Sequence, residues 1–285
     1  MKAVDLYSQL EIDFVKPEMT ENWYEYGMTE IAEYVCDNFK QRSMGLLCDF
    51  AEEINMVYTA VFPSDKVLKK ILSDNITDAM LFLHHPLVWD LSKDPNNAFY
   101  QINAELLQRL DENRISLFNF HYPLDNYGQH STSKTLADAI GISIEKPFAE
   151  FCGAMCGVIG TTSCKDIHEL NARYSQAVGH DTKLYQYGND TIFNNRVGVC
   201  AGGGNDAAIV EELIKEGINV LISGLSVNNK YSSEAHRLEK EHGINLLGGT
   251  HYSSEKFACI EMCKYFAKLG LTSEFISDAP CFEDL

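Results

Sequence analysis

Short apolar runs alternate with amphipathic segments along most of this chain, and that rhythm limits the folds open to it. Residues 55–62 (NMVYTAVF) are rich in β-branched and aromatic side chains and predict a buried strand. Pro63-Ser64-Asp65 follows and opens a helix through Leu72, with Ser64 or Asp65 as its N-cap. Residues 79–83 (AMLFL) and 115–120 (ISLFNF) predict two further strands. Between them, residues 102–112 carry Ile102, Leu106, Leu107 and Leu110 at helical spacing; beyond the second, residues 133–140 predict a short helix ending at Gly141. The second half repeats the pattern, with strands at 196–201, 218–223 and 244–247 and helices at 206–216, 232–241 and 254–269. Glycine-rich residues 151–161 (FCGAMCGVIGT) predict an edge strand. Strand–helix–strand alternation of this kind implies an α/β protein with mixed, mainly parallel sheets flanked by helices. A division near Pro147 predicts two lobes: residues 1–140 with 247–285, and residues 141–246, the last strand and helix returning to the first lobe.

Composition narrows the function. A 285-residue chain that is 45% hydrophobic and 22% charged has enough apolar surface for a sizeable core. Its formal net charge of −18 repels phosphate backbones, and Lys69-Lys70 is its one basic doublet, which argues against nucleic acid as a partner. No run approaches the ~18 apolar residues of a membrane helix. Asp5, Glu11 and Asp13 stand where a secretory signal would be apolar, so a cytoplasmic location is expected. Nine cysteines, an odd number without an export signal, predict reduced thiols, with Cys152 and Cys156 as small buried residues. No GxSxG elbow is present, which disfavours a serine hydrolase.

The chemistry collects at strand ends. The strand at 79–83 runs into His84-His85-Pro86, and the strand at 115–120 into His121-Tyr122-Pro123-Leu124-Asp125. The strand at 244–247 leads to Gly248-Gly249-Thr250-His251, with Glu255 four residues on. In open parallel sheets ligands bind beyond the carboxyl ends of the strands. Adjacent histidines diverge at a strand end, which suits two neighbouring metals better than one. His251 and Glu255 share a helix face, and Asp125 adds a hard oxygen. Imidazole and carboxylate without thiolate suit two divalent ions of zinc, iron, manganese or nickel. His121 is a sixth ligand, a group behind the ligands, or a proton-transfer residue. Lys93 either balances an anionic substrate or is a solvated loop lysine. Gly202-Gly203-Gly204 opens a helix: Gly203 either offers its backbone to an anion, or the triplet is a tight turn capped by Asn205 or Asp206. His236 is a donor to the site or a surface histidine.

The segments LFLHHPLVW (81–89), FHYPLD (120–125), GGTHYSSE (248–255), GLLCDF (45–50) and VCAGGGND (199–206) resemble the motifs of the Nif-three-like family, whose members are often labelled GTP cyclohydrolase I type 2 homologues. The likeness spans roughly residues 40–270. It implies a dinuclear metal centre on His84, His85, Asp125, His251 and Glu255, in a cleft of two similar α/β lobes, with subunits in a hexameric ring. It also implies a metal-dependent hydrolase of a small molecule, such as a nucleotide or phosphoester. The alternative is a non-catalytic metal-binding scaffold or regulatory protein. WYEYG (23–27) does not match the family's usual start, and Gly128-Gln129-His130-Ser131 departs from the family's pattern after Asp125.

Overall fold

The computed structural model describes residues 1–94 and 97–285. The chain forms two compact units: Met1–Leu124 with Cys259–Ala279, and Asp125–Ala258 with Pro280–Leu285. The sequence-based division at 140 and 247 ran differently. It left residues 125–140 with the first lobe and gave that lobe all of the last helix.

The first unit opens with α1 (Ala3–Phe14), which buries Ala3, Leu6, Tyr7 and Leu10 at helical spacing. α2 (Trp23–Gly27) and α3 (Asp37–Arg42) lead to β1 (Gly45–Cys48) and β2 (Met56–Ala60). Then come α4 (Asp65–Ser73), β3 (Ala79–Leu83), the short β4 (Val88–Trp89) and β5 (Phe99–Tyr100), α5 (Ala104–Glu112) and β6 (Ile115–Asn119). The one-turn α6 (Tyr122–Asp125) passes into the second unit. There the order is α7 (Thr132–Ile140), β7 (Ser143–Phe151), β8 (Ala154–Thr161), α8 (Ile167–Val178), β9 (Lys183–Tyr185), β10 (Arg196–Cys200), α9 (Ala207–Lys215), β11 (Val220–Ser223), α10 (Ser233–His242) and β12 (Asn245–Gly248). α11 (His251–Lys268) begins in the second unit and ends in the first, where β13 (Thr272–Phe275) follows.

The first sheet has the order β1-β6-β3-β2-β13. β6, β3, β2 and β13 are mutually parallel, and β1 closes the edge antiparallel to β6. β2, β3 and β6 are buried at every residue. Strands covered on both faces read as unbroken apolar runs rather than alternation, which is the sequence pattern here. The register pairs Ala60 with Leu83 and Leu83 with Asn119, so the carboxyl ends of β2, β3 and β6 are level. That alignment brings His84 and His121, which follow adjacent strands, to one edge of the sheet.

The second sheet has the order β7-β8-β10-β11-β12-β9, with β10, β11 and β12 parallel and the other pairings antiparallel. Three expectations are corrected here. The glycine-rich strand is interior, and β7, in the stretch expected as a boundary, is the edge. Its glycines answer to packing: a Cβ at Gly157 would lie 2.4 Å from the Phe148 ring. The strand expected to return to the first lobe, β12, stays in the second sheet, and the returning strand is β13. Cys152 is exposed in the β7–β8 turn, whereas Cys156 is buried as expected. All nine cysteines are free. No described helix is long and apolar enough to cross a membrane.

Candidate metal centre

In the first unit, three imidazoles meet at the ends of β3 and β6. The backbone N–H groups of His84 and His85 donate to the carbonyls of Ala60 and Val61, which carries the parallel pairing one step past the strands. Asn119 at the end of β6 donates from Nδ2 to the His84 carbonyl at 2.6 Å. These bonds hold the backbone of two residues that a short apolar strand would otherwise leave to fray. The ring centroids of His84 and His85 lie 4.4 Å apart, His85 and His121 4.7 Å, and His84 and His121 5.2 Å. One nitrogen from each ring falls within 4.8 Å of the others, so the three could hold a metal ion. His84 and His85 are 0% and 1% exposed, unusual for paired titratable residues without a shared purpose. His84 Nδ1 lies 3.1 Å from the Phe120 carbonyl. A proton there leaves Nε2 as the lone-pair nitrogen, the arrangement a metal-ligating histidine needs.

The wall around these rings is aromatic. Phe62 stacks on His85 at 4.7 Å. Trp23 meets His85 and His121 edge-on, at 5.9 Å and 5.0 Å. Glu21 comes from the same stretch of chain, with its side chain 1% exposed and Oε1 3.4 Å from His121 Nδ1. Neither Glu21 nor Trp23 carries a spacing signal in the sequence, and only tertiary packing brings them to the histidines.

In the second unit, α11 begins at His251, three residues before the sequence-based start. Thr250 explains the difference: its Oγ1 accepts the Ser253 N–H at 3.1 Å and caps the first turn. His251 and Glu255 are thus one turn apart on one face, with Nε2 and Oε1 3.2 Å apart and both residues buried. The His251 N–H donates to the Asp284 carboxylate at 2.8 Å. Gly202, after β10, lies against this pair with φ +62°, and a Cβ there would stand 2.0 Å from Glu255 Oε1. The position needs glycine twice over, for its left-handed backbone and for the room it leaves the carboxylate. Asp125 accepts a 2.5 Å hydrogen bond from Thr132 Oγ1 at the start of α7.

Thiols also border this region, but as neutral groups. Burial pushes the Cys156 and Cys200 thiols far above the ordinary thiol range, and the Asp125 charge pushes both further; Glu255 adds to the effect on Cys200. Among the described residues no cysteine joins the side chains whose ligand atoms lie close enough to share an ion, so the donor set is imidazole and carboxylate, which fits hard or borderline divalent ions.

The remaining candidates have surroundings of their own. Lys93 is exposed in a turn, 3.7 Å from Asp90 and over the Tyr100 ring. Gly203 is exposed, with open space where a side chain would be. Asp206 caps α9 by accepting the Ala208 N–H at 2.8 Å, as the turn reading required. His236 is not a surface histidine: it is 3% exposed and lies 2.9 Å from the Ser226 carbonyl.

Mixed sheets flanked by helices, buried imidazoles beyond parallel strand ends and a buried His–Glu pair define an α/β protein with donors suited to a metal ion. The chain belongs to the Duf34/NIF3 (NGG1p interacting factor 3) family, whose model matches residues 29–279. Among curated relatives, a protein of Borreliella burgdorferi called GTP cyclohydrolase 1 type 2 homolog is 25% identical over 216 residues, 75% of this chain and 79% of that one. One of Pyrococcus horikoshii with the same name is 25% identical over 241 residues, covering 82% and 88%. Among solved structures, protein ybgI, described as of unknown function, matches with a TM-score of 0.76 at 17% identity over 99% of this chain and 100% of that one. Reduced HcgD from Methanocaldococcus jannaschii matches with a TM-score of 0.68 at 21% identity over 98% of each. These structures establish the likeness of fold.

Proposed function

We propose that this chain is a dinuclear metal-dependent hydrolase acting on a nucleotide or phosphoester, with His84, His85, Asp125, His251 and Glu255 as metal ligands. The observation that carries the reading is the cluster of three imidazoles at the ends of two adjacent parallel strands, His84 and His85 fully buried. The buried His251–Glu255 pair and the space that Gly202 leaves for its carboxylate support it. So does membership of a family whose curated relatives carry the name GTP cyclohydrolase 1 type 2 homolog.

When bound, a pair of divalent ions acidifies water and polarises a carbon or phosphorus centre, so hydrolysis needs no protein nucleophile. The chain's own residues supply the rest. His84 presents Nε2 because its Nδ1 is engaged by the Phe120 carbonyl. His121, grouped with His84 and His85, is placed either to join these ligands or to take or return a proton. Lys93 and the backbone at Gly203 are proposed contacts for an anionic substrate. Trp23, Phe62 and Phe99 give the imidazoles an apolar surround that limits water and strengthens electrostatic contacts. A ring of identical subunits belongs to the same reading.

The test is metal content per chain by elemental mass spectrometry after incubation with zinc, manganese or iron. About two ions per wild-type chain are expected, falling sharply in both His85→Ala and Glu255→Ala. Wild-type protein that holds no ion under any of these conditions overturns the reading. Loss in His85→Ala alone would confine the site to the first unit and remove Glu255 from the ligands. With metal content established, turnover of GTP and phosphoesters by the same variants separates catalysis from simple binding.

A further inference from the structure

The family match begins at residue 29, yet the residues closest in character to a metal-site support stand before it. Glu21 lies in the stretch leading into α2. Its Oε1 accepts the Tyr122 N–H at 2.6 Å and stands 3.4 Å from His121 Nδ1, an ion-pair distance at which the ring nitrogen is not yet aligned for a hydrogen bond. Its side chain is 1% exposed, and among the described residues Oε2 has no hydrogen-bond partner. Two residues on, Trp23 sets its ring edge-on to His121 and His85 and packs on Phe99 at 5.0 Å, sealing the same corner.

A buried carboxylate this poorly satisfied is costly unless a proton donor or a cation faces it. The imidazole of His121 is the group it faces. Glu21 also accepts from the backbone N–H of the next residue, Tyr122, which fixes the carboxylate beside that ring. We propose that Glu21 is the carboxylate partner of His121 in the metal centre. In this role it takes the Nδ1 proton of His121 as the ring aligns, and so positions His121 as a further ligand with Nε2 as its lone-pair nitrogen. The inference rests on the metal-binding reading above and adds to it a positioning residue from a segment outside the family match. A carboxylate behind a metal-facing histidine fixes its tautomer and raises its basicity, and removal of such a partner weakens metal affinity about 10–100-fold.

The experiment uses the full chain with ¹⁵N-labelled histidine, at about pH 8 where imidazoles of ordinary pKa are neutral. Long-range ¹H–¹⁵N spectra assign the His121 tautomer in metal-free and zinc-loaded protein, and competition with a chromophoric chelator gives zinc affinity. Wild-type His121 is expected as the Nδ1–H form in both states. Glu21→Gln is expected to change the His121 pattern and to lose about 10–100-fold in zinc affinity. Asp37→Asn, which removes an equal charge from a side chain 92% exposed, is expected to change neither. An Nε2–H tautomer for wild-type His121 overturns the proposal without any variant, as does a folded Glu21→Gln with unchanged tautomer and affinity. If wild-type protein binds no zinc, the metal reading fails, while the metal-free spectrum still decides the Glu21–His121 pairing.

Discussion

Buried titratable side chains carry most of what is unusual about this chain, and not all of them lie at the candidate metal centre. His236 and Glu239, one turn apart on α10, approach to 3.3 Å with both side chains buried. The distance is that of an ion pair, but the surroundings oppose charge. Burial lowers the pKa of His236 and raises that of Glu239 to about 8. His236 Nε2 lies 2.9 Å from the Ser226 carbonyl and its Nδ1 3.0 Å from the Tyr187 hydroxyl, a pattern a neutral ring satisfies. Near pH 7 the contact therefore joins a neutral imidazole to a carboxylic acid. The stability consequence has a definite sign. Below an unfolded pKa of ~4.3 both states hold the Glu239 proton, and its contribution is complete. As pH rises from there to about 8 the unfolded chain releases the proton while the folded one keeps it, so stability falls. Urea midpoints across that range should decline with pH in the wild type, and Glu239→Gln should flatten the decline, a difference on the order of a few kcal/mol. Parallel profiles would show that Glu239 is ionised in the fold. The sequence placed His236 on a helix but not inside the protein, because an i, i+3 pair of polar residues looks the same on a solvated face and a buried one.

At the scale of elements, the reading from sequence was closest where the signal is local. Ser64 caps α4 by accepting the Val67 N–H at 3.2 Å, and the apolar face of that helix is Val67, Leu68, Ile71 and Leu72. Ser64→Ala should cost about 1 kcal/mol in denaturant unfolding, with m unchanged, since the cap is lost and the packed face is not. No measurable loss would mean that water replaces the cap fully. Gly141 closes α7 with φ +78°, as its position past the last apolar residue implied. Elements built by tertiary partners were less legible. β13 has the burial pattern of an exposed–intermediate alternation over four residues and exists because β2 offers it a parallel edge. β7 reads as a linker because Pro147 and its charged neighbours suit an edge strand as well as a loop.

For the whole molecule, 41 acidic residues stand against 23 basic ones, and self-repulsion at a net charge of −18 opposes compaction. Raising ionic strength from about 0.01 M to about 0.15 M shortens the screening length from ~30 Å to ~8 Å. The thermal midpoint should rise by a few degrees over that change, as read by calorimetry. A flat response would mean that the acidic side chains are already compensated locally, as Asp78 is by Arg114, which holds that carboxyl down at about 2. The same scale hides the division of the chain. The first unit is assembled from the beginning of the sequence and a stretch near its end, and α11 runs through the change from one unit to the other. Nothing in composition or loop length announces that, since the break falls inside a regular helix.

The sequence by itself determined the α/β alternation, the central strands β2, β3 and β6, and the gathering of His84, His85 and His121 at strand ends. Those follow from interactions within a few residues and from the rule that parallel strands end on one edge. Tertiary structure alone decided which strand sits at a sheet edge, that His236 and Glu239 are buried, and that Glu21 and Trp23 lie against the histidines. Each of these depends on which distant segment packs where, and side-chain pattern along one segment is silent about the segment that covers it.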